Sequence, residues 1–246
     1  MRKDSVAYML KKWVGISVIR IFEQIVKLTD GNKDFYNTQD FPFVKILEAN
    51  ADKIRKEYLK VASNTYIPKF QEVSIEQEKL TNDDSWLSYL LTVYGNDLIE
   101  HRERCPVTTA CLNHVPLMTT ALFSVLKPGK SIPPHRGAYS GVLRCHLALI
   151  IPDETKCEIT LNGKSKNWEE GKCLIFDDTF IHSACNMSAA TRVVLFIDFM
   201  RPLPFPLNYL NFWLLQLIAG SEFIGEILER SHHLDGVKIR KREIRF

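Results

Sequence analysis

Two histidines and an arginine carry the chemistry that this chain's residue types allow. His135 stands in the run IPPHRG, His182 in FDDTFIHS, and Arg192 follows ten residues after the second histidine. Both histidines have strand-like surroundings, so each would offer an imidazole from a different extended segment. Neutral imidazole suits iron, zinc, copper and nickel, and two imidazoles can hold one ion while leaving positions open for an oxidant and an organic acid. An arginine on a following strand adds a planar fork that grips a carboxylate through two parallel charge-assisted hydrogen bonds, which a lysine does less specifically. The layout points to a mononuclear iron site with an anion clamp beside it. The usual non-haem iron triad would place a carboxylate two residues after the first histidine, and this chain has Gly137 there.

Taken singly, these residues would read otherwise. A histidine in a half-apolar strand is more often structural than a ligand, and a lone arginine is more often ion-paired or on the surface. Four segments in order and in compatible spacing change that: FSVLKPGKSIPPHRG, GVLRCHLALIIP, WEEGKCLIFDDTFIHSACN and TRVVLFIDFMRPL. Together they resemble the aspartyl/asparaginyl β-hydroxylase family of iron(II) and 2-oxoglutarate dependent dioxygenases, which includes peptidyl aspartate hydroxylases and bacterial lipid A acyl-chain hydroxylases. The resemblance is close over about residues 105–203 and loose over 40–104.

The resemblance implies His135 and His182 as iron ligands and Arg192 as the residue on the distal carboxylate of 2-oxoglutarate. Ser124, Arg144 and His146 match its supporting partners. Peptidyl hydroxylases of the family also have glycine at the position of Gly137 and complete the iron shell with water. Asp178, four residues before His182, is then placed to hold such a water from outside the iron's own ligand set. Asp177 reads as a turn residue. Gly137 resembles the peptidyl branch, whereas DDTFIH and RVVLFIDFMRPL resemble the lipid A branch, so two substrate classes stay open. His101, His114, His232 and His233 fall outside the motifs.

Strands must position these groups. Short strand candidates at 120–126, 142–151, 157–161, 173–176 and 192–199 are separated by PG, NG and EG turn signals. That pattern predicts a mainly β fold, a double-stranded β-helix (jelly roll) core with flanking α-helices, whose mouth can hold a metal between two sheets. Residues 41–60 have the periodicity of one helix, and Pro106–Leu112 reads as a short helix with proline in its first turn. Residues 61–104 have mixed signals, with a Gly95-Asn96 turn, and their aromatics suit a wall of the substrate groove. The expected organisation is an N-terminal helical region over 1–115, the jelly-roll core over 116–205, and a C-terminal helical and basic tail over 206–246.

Composition narrows the function classes. With 246 residues, 46% hydrophobic and 25% charged, the chain can bury a substantial core. A net charge of +3 is too small to predict nucleic-acid binding. The six cysteines, at positions 105, 111, 145, 157, 173 and 185, form no CxxC pair, and no cleavable signal pattern is present. A cytoplasmic location is expected.

No run reaches the roughly 18 uncharged apolar residues of a transmembrane helix. Residues 5–28 instead make an amphipathic helical pattern, with Trp13, Val14, Ile16, Ile19, Ile21, Phe22, Ile25 and Val26 among Lys11, Lys12, Arg20, Glu23 and Lys27. Residues 207–219 form a shorter apolar run, and Lys238, Arg240, Lys241, Arg242 and Arg245 make the tail basic. These ends either pack on the core or lie in a membrane interface, which leaves peripheral membrane association open.

The function implied by the resemblance is hydroxylation of an aspartyl or asparaginyl side chain in a peptide or peptide-like substrate. Dioxygen and 2-oxoglutarate are consumed, and succinate and carbon dioxide are released. The alternatives are hydroxylation of a lipid A-type acyl chain at a membrane surface, halogenation through the position left open at Gly137, and a non-catalytic jelly-roll binding protein.

Overall fold

The structure is a computed structural model that describes residues 6–29, 33–74, 80–81 and 83–242. Of the features singled out above, Arg245 and the side chains of Lys11, Lys12, Trp13, Val14 and Ile16 lie outside the described residues.

The N-terminal part runs α1 (Val6–Thr29), β1 (Phe35–Tyr36), α2 (Phe43–Ala49), α3 (Ala51–Asn64) and α4 (Phe70–Val73). It continues through β2 (Trp86–Val93), β3 (Asn96–Leu98), α5 (Ile99–Arg104) and α6 (Pro106–Leu112). Then come β4 (Met118–Leu126), β5 (Lys130–His135), β6 (Val142–Ile150), β7 (Cys157–Leu161), β8 (Lys164–Asn167), β9 (Cys173–Phe176), β10 (His182–Asn186) and β11 (Arg192–Met200). The chain closes with α7 (Leu207–Ala219), α8 (Glu222–Asp235) and β12 (Ile239–Lys241).

The strands form two antiparallel sheets, one of eight strands in the order β1-β9-β6-β11-β4-β2-β3-β12 and one of four in the order β5-β10-β7-β8. This is the jelly roll that the sequence predicts. The larger sheet also takes strands from outside residues 116–205, namely β1, β2, β3 and β12. Strand β2, WLSYLLTV, is buried at nearly every position. A strand covered on both faces has no alternation of polar and apolar residues, so its sequence lacks the period-two signal.

Period two does organise the central strands. In β4, β6 and β11, the odd-numbered residues Phe123, Val125, Cys145, Leu147, Leu195 and Ile197 pack with α2, α3 and α6 in the main core. The even-numbered residues therefore face the smaller sheet, since successive side chains point to opposite faces. They include Ala148 and Val194, which join Ile159, Leu161, Trp168 and Phe176 in the cluster between the sheets. Ser124, Arg144, His146, Arg192 and Asp198 share that parity.

The single helix read over 41–60 is two helices, broken at Asn50. Its backbone leaves the helical region (φ −112°, ψ 8°) and its side-chain amide donates to the Ile46 carbonyl at 2.9 Å, a local bond that competes with helix continuation. Asn162 and Gly163 both have positive φ, 51° and 75°, which fits the two-residue hairpin between β7 and β8. The turn near Gly95 is centred on Tyr94-Gly95 instead of Gly95-Asn96, with φ of 44° and 77°. Strand β5 lies at the edge of its sheet and carries Pro133 and Pro134, where the pairing with β10 is irregular. Edges and bulges are where a sheet tolerates proline.

A buried ion pair locks the turn before β10 to the end of β11. Arg201 meets Asp177 and donates from Nε to the Ser140 carbonyl at 2.7 Å, while Asp177 accepts from the Thr179 amide at 2.9 Å and its hydroxyl at 2.6 Å. Asp177 is thus both the turn residue that the sequence suggests and half of an ion pair. Removing one partner of a buried pair strands the other, at about 3–5 kcal/mol. Arg201→Leu is expected to lower unfolding free energy by about that amount in urea titration; a loss below about 1 kcal/mol would show that the pair does not hold this turn.

Candidate active site

His135 ends β5 and His182 begins β10, and the two are direct partners across the ladder. Their ring centroids are 4.1 Å apart. Each ring is oriented the same way: Nδ1 lies 2.9 Å from a carbonyl two residues upstream, Pro133 for His135 and Phe180 for His182. A carbonyl only accepts, so Nδ1 donates in both rings and the lone pair is left on Nε2. Burial holds the His182 pKa down to about 3, helped by the neighbouring His135 and Arg144. Burial also lowers that of His135, against the opposing pull of the Pro133 carbonyl. Metal ligation requires the neutral form of imidazole, and both rings are held toward it. Among the described residues, no group of three or more His, Cys, Asp or Glu is placed to hold a metal ion.

The position two residues after His135 explains itself sterically. A Cβ on Gly137 would lie 2.2 Å from Oδ2 of Asp178, and the Gly137 amide donates to the Asp178 carbonyl at 2.7 Å. The carboxylate of Asp178 fills the room that a side chain at 137 would need. Burial pushes the Asp178 pKa up to about 6 against the pull of Arg144.

Arg144 is placed differently from the other expected 2-oxoglutarate partners. Its guanidinium is already bidentate to Asp198, with Nε–Oδ1 at 2.8 Å and Nη2–Oδ2 at 3.0 Å, and Nη2 meets Asp178 at 2.8 Å. Burial disfavours its charge, but the two carboxylates outweigh that and push its pKa up. It also lies over the Phe196 ring at 4.1 Å. In this structure, Arg144 orients Asp178.

Arg192 has no such partners. It is 2% exposed, and its Nε and Nη1 are buried with no hydrogen-bond acceptor in the protein. Its guanidinium lies over Trp168 at 4.5 Å, and burial pulls its pKa down to about 10. His146 is buried nearby with both ring nitrogens unpartnered, as is Nε1 of Trp168. Burial, followed by the charges of Arg192 and Arg144, keeps His146 neutral, with its pKa well below the ordinary value. A buried guanidinium without an acceptor is costly, and an anion between Arg192 and His146 would relieve it. The residues present therefore fit a bound carboxylate or similar anion. Ser124 is buried on the inner face of β4 and accepts from Trp86 Nε1 at 3.1 Å, which leaves its own hydroxyl proton available.

Asp198 and Trp168 are the members of this site that the sequence pattern does not single out. Asp198 has a signal, as the one charged residue inside the apolar run of β11, six positions and so an even step from Arg192. Trp168 has none, because a buried aromatic near a polar group looks like core, whereas Trp86, one of the aromatics expected to line the groove, bonds Ser124. His101 is structural, bonding the Leu90 carbonyl at 2.7 Å and lying 3.3 Å from Asp235.

Residues 48–202 match the family described as Aspartyl/Asparaginyl beta-hydroxylase. The chain belongs to that family. Among its relatives, the ornithine lipid ester-linked acyl 2-hydroxylase of Rhizobium tropici is 39% identical over 201 residues, covering 81% of this chain and 72% of that protein. The human aspartyl/asparaginyl beta-hydroxylase is 33% identical over 167 residues, covering 65% of this chain and 21% of that much longer protein. A solved prolyl hydroxylase from Trichoplax adhaerens superposes with a TM-score of 0.47 at 10% identity, covering 81% of this chain and 96% of that one.

Two predictions concern this hydroxylase-family site itself. Gly137→Ala should displace Asp178 and lower the affinity for added divalent metal, read by anaerobic titration; unchanged affinity would show that Asp178 is free to move. Secondly, His146 and His182 have folded-state pKa values below the unfolded value of about 6.5, so the unfolded chain binds more protons in that window. The stability of the metal-free protein should be full above pH about 6.5 and fall as pH drops toward about 3. His146→Phe should make that fall shallower in urea titrations at stepped pH, and an identical slope would remove His146 from the balance.

Proposed function

We propose that this family member is an iron(II) and 2-oxoglutarate dependent dioxygenase. His135 and His182 hold the iron through Nε2, and Arg192 with His146 holds the distal carboxylate of 2-oxoglutarate. The observation that carries this reading is the buried guanidinium of Arg192, two of whose nitrogens have no acceptor in the protein. When bound, the iron and 2-oxoglutarate supply the oxidising power for inserting one atom of dioxygen into a C–H bond. The chain's own residues position and exclude. Ser124 donates to the co-substrate beside Arg192, and Trp168 shields the anion from water. Asp178, aimed by Arg144 and lying against Gly137, would accept a hydrogen bond from water entering the site.

The substrate best supported is an acyl chain of a polar lipid. The similarity to the ornithine lipid hydroxylase covers 81% of this chain, and the helices beside the site expose a large apolar face, including Trp213 and Leu217. An aspartyl or asparaginyl side chain is the second reading, favoured by Gly137, the position at which this chain resembles the peptidyl branch of the family. All six cysteines are free thiols, which suits a reducing, cytoplasmic setting.

Anaerobic addition of iron(II) and 2-oxoglutarate should give the weak visible charge-transfer band of a chelated complex. Arg192→Ala should raise the 2-oxoglutarate concentration needed on the order of a hundredfold, the worth of a lost charge-assisted pair, and His135→Ala or His182→Ala should abolish the band. No band in correctly folded wild type would overturn the cofactor assignment. With the complex formed, an ornithine-containing lipid and an aspartyl peptide are each offered with dioxygen. Oxygen added to the acyl chain, seen by mass spectrometry with matching succinate release, supports the lipid reading. Oxygen added to the peptide alone supports the second.

A further inference from the structure

Helix α7, LNYLNFWLLQLIA, contains no charged residue. Its inner stripe, Leu207, Leu214, Leu215 and Ile218, packs into a cluster with Tyr139, Val142, Met200 and Leu203. The other side faces solvent: Tyr209, Trp213 and Leu217, spaced four apart along one face, are 48%, 64% and 73% exposed, and Phe205 just ahead of the helix is 79% exposed. Helix α1 repeats the arrangement. Ile19, Phe22 and Val26 enter the same cluster, while Val18, Ile21 and Leu28 point outward. A helix that is apolar on both sides needs a second apolar partner.

Charge identifies that partner. The described side chains of α1 carry Arg20 and Lys27 against a single acid, Glu23. Glu23 is already neutralised, by Arg136 at 2.6 Å and Lys27 at 2.8 Å. The exposed apolar stripes are therefore bordered by excess positive charge, the combination that binds an anionic lipid surface. A second copy related by twofold symmetry would set those cations against themselves. Tyr209 and Trp213 are also the residue types that sit at headgroup depth. No helix among the described residues is long and apolar enough to cross a membrane, so these helices would lie on it.

The face is continuous with the metal site. Glu23 ties α1 to Arg136, the residue after His135. Phe22 stacks on Tyr139 at 5.7 Å, and the Tyr139 hydroxyl donates to Asn211 of α7 at 2.8 Å. The loop leaving the first candidate iron ligand is thus gripped by both helices. Ile181, next to His182, is itself 66% exposed.

We infer that α7 and the outer face of α1 form a docking platform that seats this enzyme on an anionic lipid bilayer, with the iron site opening beside it. The inference deepens the lipid-directed reading above and rests on it for its purpose, but docking is measurable without turnover. The full chain is mixed with phosphatidylcholine vesicles, with or without phosphatidylglycerol, and floated on a density gradient. Wild type should float with the anionic vesicles, less so as salt is raised. Trp213→Glu combined with Leu217→Glu should cut the bound fraction on the order of tenfold, with thermal unfolding and the iron(II)/2-oxoglutarate band unchanged. Arg20→Glu, which leaves the apolar face whole, should weaken flotation as added salt does.

Wild type remaining in the aqueous fraction with both vesicle types would overturn the platform, as would a double variant that floats like wild type. A dimer without vesicles that the double variant dissociates, seen by light scattering, would overturn it too by assigning the face to a second copy. Flotation with no iron(II)/2-oxoglutarate band would instead sink the dioxygenase reading and leave the platform standing.

Discussion

A guanidinium buried between two sheets has to find negative charge, and three arginines in this molecule meet that demand in three ways. Arg201 takes Asp177 and closes the turn that delivers His182. Arg144 takes Asp178 and Asp198 together and so fixes the carboxylate beside Gly137. Arg192 is left with unmatched N–H groups, which is why the proposed co-substrate site is placed there. In a low-dielectric interior, the cost of an unpaired charge is the drive for binding. Structure and chemistry in this fold are separated by which arginine has already found its acid.

The parity of three strands does the sorting. One face of β4, β6 and β11 is apolar and buried under helices, and the other carries Ser124, Arg144, His146, Arg192 and Asp198 into the space between the sheets. A shift of one residue in any of these strands would exchange the faces. The apolar positions that make the core thereby also set the register of the polar ones.

Much of this is legible in the amino-acid pattern alone. The strands at 120–126, 142–151, 157–161, 173–176 and 192–199 emerge within a residue or two of their observed ends, because alternation and turn residues mark them. The strands that carry the two histidines are harder to delimit. β5 contains two prolines and β10 reads HSACN, so neither has the β-branched run of a typical strand, and both depend on cross-strand pairing and on contacts such as Ile132 with Trp86 and Leu126. Motif order brings out His135 and His182 as candidates; their pairing across the ladder and the orientation of their rings by Pro133 and Phe180 depend on backbone geometry that no side-chain pattern encodes. Arg144 shows the same limit. Its residue type suggests an anion partner, and its partners are two acids of the chain itself, one fifty-four positions away.

The two prolines of β5 have a consequence for what can approach the site. Neighbouring residues of a strand direct their amides to opposite sides, so two prolines in succession remove one donor toward β10 and one toward the open side. That edge cannot be extended by an added strand across this stretch, either from another molecule or from an extended peptide seeking backbone pairing. A substrate lying along that stretch is left to be recognised through its side chain or its tail, with its backbone out of the sheet.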